Sequence, residues 1–192
     1  MWKASEDGSE EDVSTCVKVC GNRIYYYGEI SNENILEFTI EFKKLEIKLL
    51  KDFIEYDDTT PVIHVHINSG GGDVFAGFAS LDTLRAARAK VVTHVDGMCA
   101  SAATFMFLGG SVRCMGQHAQ LLIHQMSTNG FWGKYEELKD EMKSCTQIMK
   151  MLKKLYSENT KLPASKLGQF MKRDIYITAD ECFKYEIIHQ II

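Results

Sequence analysis

Four short segments carry residue types that could do chemistry. The first is Asn68-Ser-Gly-Gly-Gly-Asp73, which follows an apolar run and precedes a helical pattern. Three successive glycines let the backbone turn sharply and let a ligand approach main-chain N–H groups. A phosphate loop, an oxyanion donor and a plain tight turn all fit this composition. The patterns G-x-G-x-x-G and Gly-Lys-Ser/Thr are absent. The second is Gly97-Met-Cys-Ala-Ser101-Ala-Ala103. A serine between strand and helix presents its hydroxyl, and the next N–H, on Ala102, lies at the positive end of the helix dipole. Serine in that place is equally a plain N-cap. The third is Leu121-Leu-Ile-His124, a histidine ending an apolar strand where α/β sites gather. The fourth is Lys172-Arg-Asp174 before the apolar run Ile175 to Ile177, which alone says nothing.

Together these segments hold a complete set for acyl transfer. Ser101 would be the nucleophile, His124 its base and Asp174 the orienting carboxylate. The N–H groups of Gly71 and Ala102 would bind the oxyanion. His64 and His66 share one face of a strand and read as a polar face, because no third ligand accompanies them. Cys16-x3-Cys20 lacks a second pair at zinc spacing, so no metal is expected.

The elements that must position these residues alternate. Strands are expected over 23–28, 62–67, 91–95, 112–115 and 121–123, and helices over 34–53, 74–87 and 102–108. Strands alternating with short helices imply βαβ units and a largely parallel sheet. From Lys134 to Asn159, Tyr135, Leu138, Met142, Cys145, Met149, Leu152 and Tyr156 recur at three- and four-residue steps. That spacing puts them on one seam of a helix about 36 Å long, lying on its own domain or projecting to a partner. Thr178-Ala-Asp-Glu181 starts a last helix as a capping box.

Composition narrows the class. The 192 residues suit about one domain, and 45% hydrophobic residues with a net charge of −4 describe a globular chain. That charge gives no basic field for nucleic acid. No apolar run reaches the roughly 18 residues that span a bilayer. The start, MWKASEDGSEEDVST, is acidic and polar, unlike a secretory signal. The six cysteines are scattered and read as reduced, mostly buried thiols.

Over roughly residues 20 to 190 the sequence resembles the Clp protease proteolytic-subunit family (ClpP). Asn68-Ser-Gly-Gly-Gly72 resembles its Asn-Ser-Pro-Gly-Gly turn, and Gly97 to Ala103 its nucleophile segment. Leu122-Ile-His-Gln-Met126 and Arg173-Asp-Ile-Tyr-Ile-Thr-Ala-Asp-Glu-Cys182 resemble its other two motifs, in the same order. Gly70, Met126, Cys99 and Lys172 depart from the family pattern.

The resemblance implies an α/β fold, a ClpP/crotonase-like spiral of βαβ units with a protruding handle helix at about 134–159. Residues 1–19 would be a flexible, axial-loop-like segment and 20–192 a single peptidase domain. It implies serine-type endopeptidase activity on unfolded polypeptides, through Ser101, His124 and Asp174 with Gly71 and Ala102. Homo-oligomeric heptameric rings, stacked to fourteen subunits, would be fed by an AAA+ Clp unfoldase. That partner would use the ATP, so this subunit needs no cofactor. The location would be cytoplasmic, or an organelle stroma or matrix, and not secreted. The alternatives are an inert ring subunit, a crotonase-type acyl-CoA enzyme and a Ser–Lys peptidase.

Overall fold

A computed structural model describes residues 15–54, 60–128 and 130–192. The chain opens with β1 (Val17–Cys20) and β2 (Arg23–Tyr27), an antiparallel hairpin. Strand β1 begins within residues 1–19, and residues 1–14 of that segment lie outside the described residues. Helix α1 (Asn32–Ile54) buries Ile35, Phe38, Phe42 and Leu45 along one face. Each such apolar side chain contributes roughly 1.5–3 kcal/mol by leaving water. Tyr26 meets Phe38 edge-on at 5.8 Å, which docks α1 against the hairpin.

Next come β3 (Val62–Ser69), α2 (Val74–Arg85), β4 (Lys90–Ala100), α3 (Ala103–Leu108), β5 (Val112–Met115) and β6 (Gln120–Leu122). The long helix α4 (Tyr135–Asn159) follows, then α5 (Ala164–Met171), β7 (Ile177–Thr178), α6 (Ala179–Lys184) and β8 (Gln190–Ile191). Strands β2, β3, β4, β5 and β8 lie side by side and parallel. On β3 the buried Ile63, Val65 and Ile67 alternate with His64 and His66, and Val91 and Val95 of β4 likewise share one face, so the apolar residues of these central strands line one side of the sheet.

Strand β4 is longer than its apolar run. It pairs with β5 over Val92 to Val95, then with β6 over Met98 to Ala100. Between these stretches its register against β3 shifts, an irregularity that adds residues on β4. The Asn68 side chain accepts the Met98 N–H at 3.0 Å there, replacing a lost ladder bond.

Helix α4 falls where the sequence places the handle, and at 25 residues it is about 37 Å long. Its C-terminal half is anchored, through the buried Leu152, Leu155 and Tyr156 and the partly buried Ile148 and Met149. Tyr135, Leu138 and Met142 of the seam are exposed. Thr178 Oγ1 accepts the Glu181 N–H, the cap expected for α6. Among the described residues no helix is long and apolar enough to cross a membrane. All six cysteines are free thiols, but only Cys99, Cys114 and Cys182 are buried, fewer than expected.

Candidate active site

Strand register brings the candidate residues together. Strand β6 runs antiparallel to β7, with Leu121 opposite Ile177. Carrying that register three residues further sets His124 opposite Asp174. The Nδ1 atom of His124 lies 3.5 Å from Asp174 Oδ1. A bond from Gln125 N–H to the Met171 carbonyl ties the histidine segment to the end of α5. Strand β4 pairs with β6 up to Ala100 and Leu122, and the Ser101 N–H then donates to the Leu122 carbonyl at 2.9 Å. Ser101 thus stands beside the segment that carries His124.

The irregularity in β4 supplies the other half. Beyond it Ser69 pairs with Cys99, and the same offset sets Gly71 opposite Ser101. A Cβ added at Gly71 would lie 2.6 Å from Ser101 Cβ and 2.7 Å from the Ala100 carbonyl oxygen. Gly71 also has a φ of +97°. Only glycine fits that approach at that dihedral angle. A Cβ at Gly72 would collide with the Ile30 carbonyl oxygen. The glycines bring backbone against backbone and leave no phosphate-sized cradle, so the phosphate-loop reading falls away.

Ser101 itself has a φ of +55°. A non-glycine residue in this region costs of order 1–3 kcal/mol and persists only where its surroundings enforce it. The strain sits between a strand and a helix, as in a nucleophile elbow. The cap reading is not supported, because the turn opening α3 has no side-chain cap bond. Thr104 Oγ1 donates to the Ser101 carbonyl at 2.6 Å and meets the Tyr156 hydroxyl of α4. The Ser101 backbone is therefore fastened to the C-terminal part of the long helix. The Ala102 N–H has no acceptor among the described residues.

Two details separate this geometry from a fully engaged site. The Gly71 N–H donates to Ser69 Oγ at 3.1 Å, so it is not free to bind an oxyanion as it stands. The His124–Asp174 separation exceeds the 2.6–3.2 Å of a working catalytic bond, and the Asp174 side chain is 79% exposed. Such contacts are often long without substrate.

Sequence reasoning did not find a side-chain network that spans β2, β3 and β4. His64 and His66 do share a face, and each has a partner on β4. His64 Nδ1 lies 2.9 Å from His94 Nε2, and His66 Nδ1 lies 2.9 Å from Asp96 Oδ1. Arg23 and Tyr27 of β2 close the group, on His66 Nε2 and on Asp96. Because the Arg23 guanidinium only donates, His66 Nε2 accepts and His66 Nδ1–H donates to Asp96. Burial holds His94 down to about 4. The signal was the two-residue spacing of His94 and Asp96, matching His64 and His66. No cluster among the described residues has the arrangement to hold a metal ion.

Comparison with known proteins agrees with this architecture. The Clp protease family profile matches residues 24–192. An ATP-dependent Clp protease proteolytic subunit from Deinococcus radiodurans is 34% identical over 132 residues, 68% of this chain. The match spans 64% of that relative's length. A ClpP1 point mutant from Listeria monocytogenes superposes with a TM-score of 0.76 at 23% identity, covering 90% of this chain and 91% of that one. At that identity the likeness speaks for the fold, and it bears out the expected α/β architecture. With the profile covering nearly all of the described chain, the protein belongs to the Clp protease family.

Proposed function

We propose that the chain is a serine-type endopeptidase subunit in which Ser101, His124 and Asp174 form the triad. The observation that carries this reading is the register that sets His124 opposite Asp174 and Gly71 opposite Ser101. His124 Nδ1–H donates to Asp174, which leaves Nε2 to take the proton of the Ser101 hydroxyl. Ser101 Oγ attacks the peptide carbonyl, and the N–H groups of Gly71 and Ala102 hold the oxyanion. His124 then returns the proton to the leaving amine. Water, activated by the same histidine, releases the acyl group. Such a set is worth roughly 10^6-fold in rate over binding alone.

The subunit works inside stacked rings fed with unfolded chains by an AAA+ partner that spends ATP. The exposed seam of α4 supports assembly, because Tyr135, Leu138 and Met142 gain by covering one another. Enclosure would also serve the site. Excluding water around the exposed Asp174 strengthens its attraction to the imidazolium. The cytoplasm, or an organelle stroma or matrix, is the proposed setting. An inert ring member is the second reading, favoured by the Ser69 hold on the Gly71 N–H.

Treatment with a fluorophosphonate probe and measurement of intact mass decides the matter. One adduct on the wild type, absent from Ser101→Ala, is the expected result. An adduct on both proteins refutes Ser101. A wild type that elutes as rings yet takes no adduct establishes the inert reading.

A further inference from the structure

A cavity lies away from Ser101, His124 and Asp174, lined by residues such as Arg85, Arg113 and Asn159. Its volume is about 780 Å³, and it opens at the other edge of the sheet. Lys90 at the start of β4, Ser111 just before β5 and His189 just before β8 all line it. Ser101 and Gly71 stand at the opposite, C-terminal ends of their strands.

Two guanidinium groups converge on this cavity. Arg113 is 7% exposed. Its Nε donates to the Ile187 carbonyl at 2.7 Å, and its Nη2 to the Asn159 and Glu186 carbonyls at 2.8 and 3.1 Å. All three acceptors are neutral. Its Nη1 has no partner among the described residues. Arg85 reaches the same asparagine from the other side, with Nη2 donating to Asn159 Oδ1 at 2.7 Å. The nearest carboxylates are already engaged: Glu186 with Lys161, and Glu158 with Lys154. Burial and the neighbouring Arg85 both weigh against the charge on Arg113, and only Glu186 favours it, from a distance and while paired with Lys161. A buried guanidinium is costly unless it is compensated, and two sharing one neutral residue repel each other. Arginine nevertheless stays charged. Neither guanidinium is bonded to an anion among the described residues, although both line the cavity.

We infer that this cavity binds a phosphate-class oxyanion between Arg85 and Arg113, separately from the peptidase centre. Free Nη atoms of the two forks suit a tetrahedral oxyanion, which accepts several charge-assisted hydrogen bonds at once. Lys90 adds charge at the rim. The volume exceeds one phosphate ion, and Leu84, Ala87 and Leu108 give an apolar wall. The phosphoryl group therefore comes either from free phosphate or from a phosphate monoester whose organic part lies on that wall.

The test is calorimetric titration of the full-length protein, in chloride buffer, with inorganic phosphate, adenosine monophosphate and adenosine. Saturable binding of phosphate or of the monophosphate, but not of adenosine, is expected. A monophosphate tighter than phosphate identifies the ester as the source, and equal affinity identifies the free ion. Arg113 is buried on backbone carbonyls, and its replacement risks the fold. Arg85 is exposed, so Arg85→Ala keeps the fold and should weaken binding at least tenfold. Ser101→Ala should bind like the wild type. Absence of saturable binding, or an Arg85→Ala protein that binds unchanged, overturns the inference.

Discussion

Gly71→Ala is the sharpest perturbation of the proposed site, because one added carbon meets the nucleophile directly. The new Cβ would stand 2.6 Å from Ser101 Cβ, 2.7 Å from the Ala100 carbonyl oxygen and 3.2 Å from the Ala102 nitrogen. Two costs add. An alanine at φ of +97° costs about 1–3 kcal/mol in backbone strain. Forcing a carbon into a filled site costs a further 1–3 kcal/mol or so. The sum, about 2–6 kcal/mol, is a large share of a domain's stability. If the chain relieves the clash by moving Ser101, roughly 1 Å of displacement costs about 100-fold in rate. Neighbouring Gly70 is the internal control. A Cβ there meets only Met98 Cε, at 3.5 Å, so Gly70→Ala should change stability by under about 1 kcal/mol. Urea unfolding and the rate of fluorophosphonate labelling measure both effects. Should Gly71→Ala unfold at the wild-type urea midpoint and label at the wild-type rate, the backbone contact between Gly71 and Ser101 would be wrong.

Three further outcomes follow from the same structure. Asn68→Ala strips the acceptor from the Met98 N–H, costs about 1–3 kcal/mol in urea unfolding and slows labelling of Ser101, whereas unchanged labelling would detach Asn68 from the site. Burial lowers the proton affinities of His94 and His64, and nearby Arg23 and His66 add to this. The unfolded chain therefore binds more protons below about pH 6.5. Stability is complete above that value and falls as the pH drops toward 4, by about 3 kcal/mol for His94 alone. Equal unfolding midpoints at pH 7 and pH 5 would contradict it, and His94→Asn should flatten the dependence. Glu46 is buried at 5% exposure and accepts the Arg88 and Ala89 N–H groups and Lys43. Burial alone would raise its proton affinity, but those bonds outweigh it and lower the pKa. Glu46→Ala orphans two donors and should cost about 2–4 kcal/mol by thermal or urea unfolding, against under about 1 for Lys43→Ala.

Local patterns made much of this architecture legible. The seam from Tyr135 to Tyr156 marked α4 almost to the residue, because helical periodicity is written into neighbouring positions. Thr178 and Glu181 marked α6 for the same reason. Strand β1, helix α5 and the continuation of β4 through Gly97 were not legible. Val17–Cys20 is a strand only because Arg23–Tyr27 lies beside it, and β4 continues only because β6 accepts its second half. Ser101 and His124 were singled out by the chemistry of their strand-end positions, whereas Asp174 joined them through motif and chain order. Nothing near Asp174 distinguishes it from other aspartates, and only the β6–β7 register sets it opposite His124. The contact between Gly71 and Ser69 was likewise hidden, since a hydroxyl two residues away could have turned outward. The network of His66, Asp96, Arg23 and Tyr27 spans three strands, and no window along the chain contains it.

The order in which these strands are synthesised has a consequence for the cell. Asp174 reaches His124 through β7, a two-residue strand that pairs with β6 alone. While a ribosome still holds residues beyond about 160, Ser101 and His124 have been made but Asp174 does not yet stand beside His124. The β4 fork that brings Ser101 to Gly71 depends in turn on β6. Under the proposed mechanism, a subunit built this way would stay chemically silent through most of its translation. Hydrolytic power would come only after nearly every strand has been laid down, sparing neighbouring nascent chains from a half-made protease.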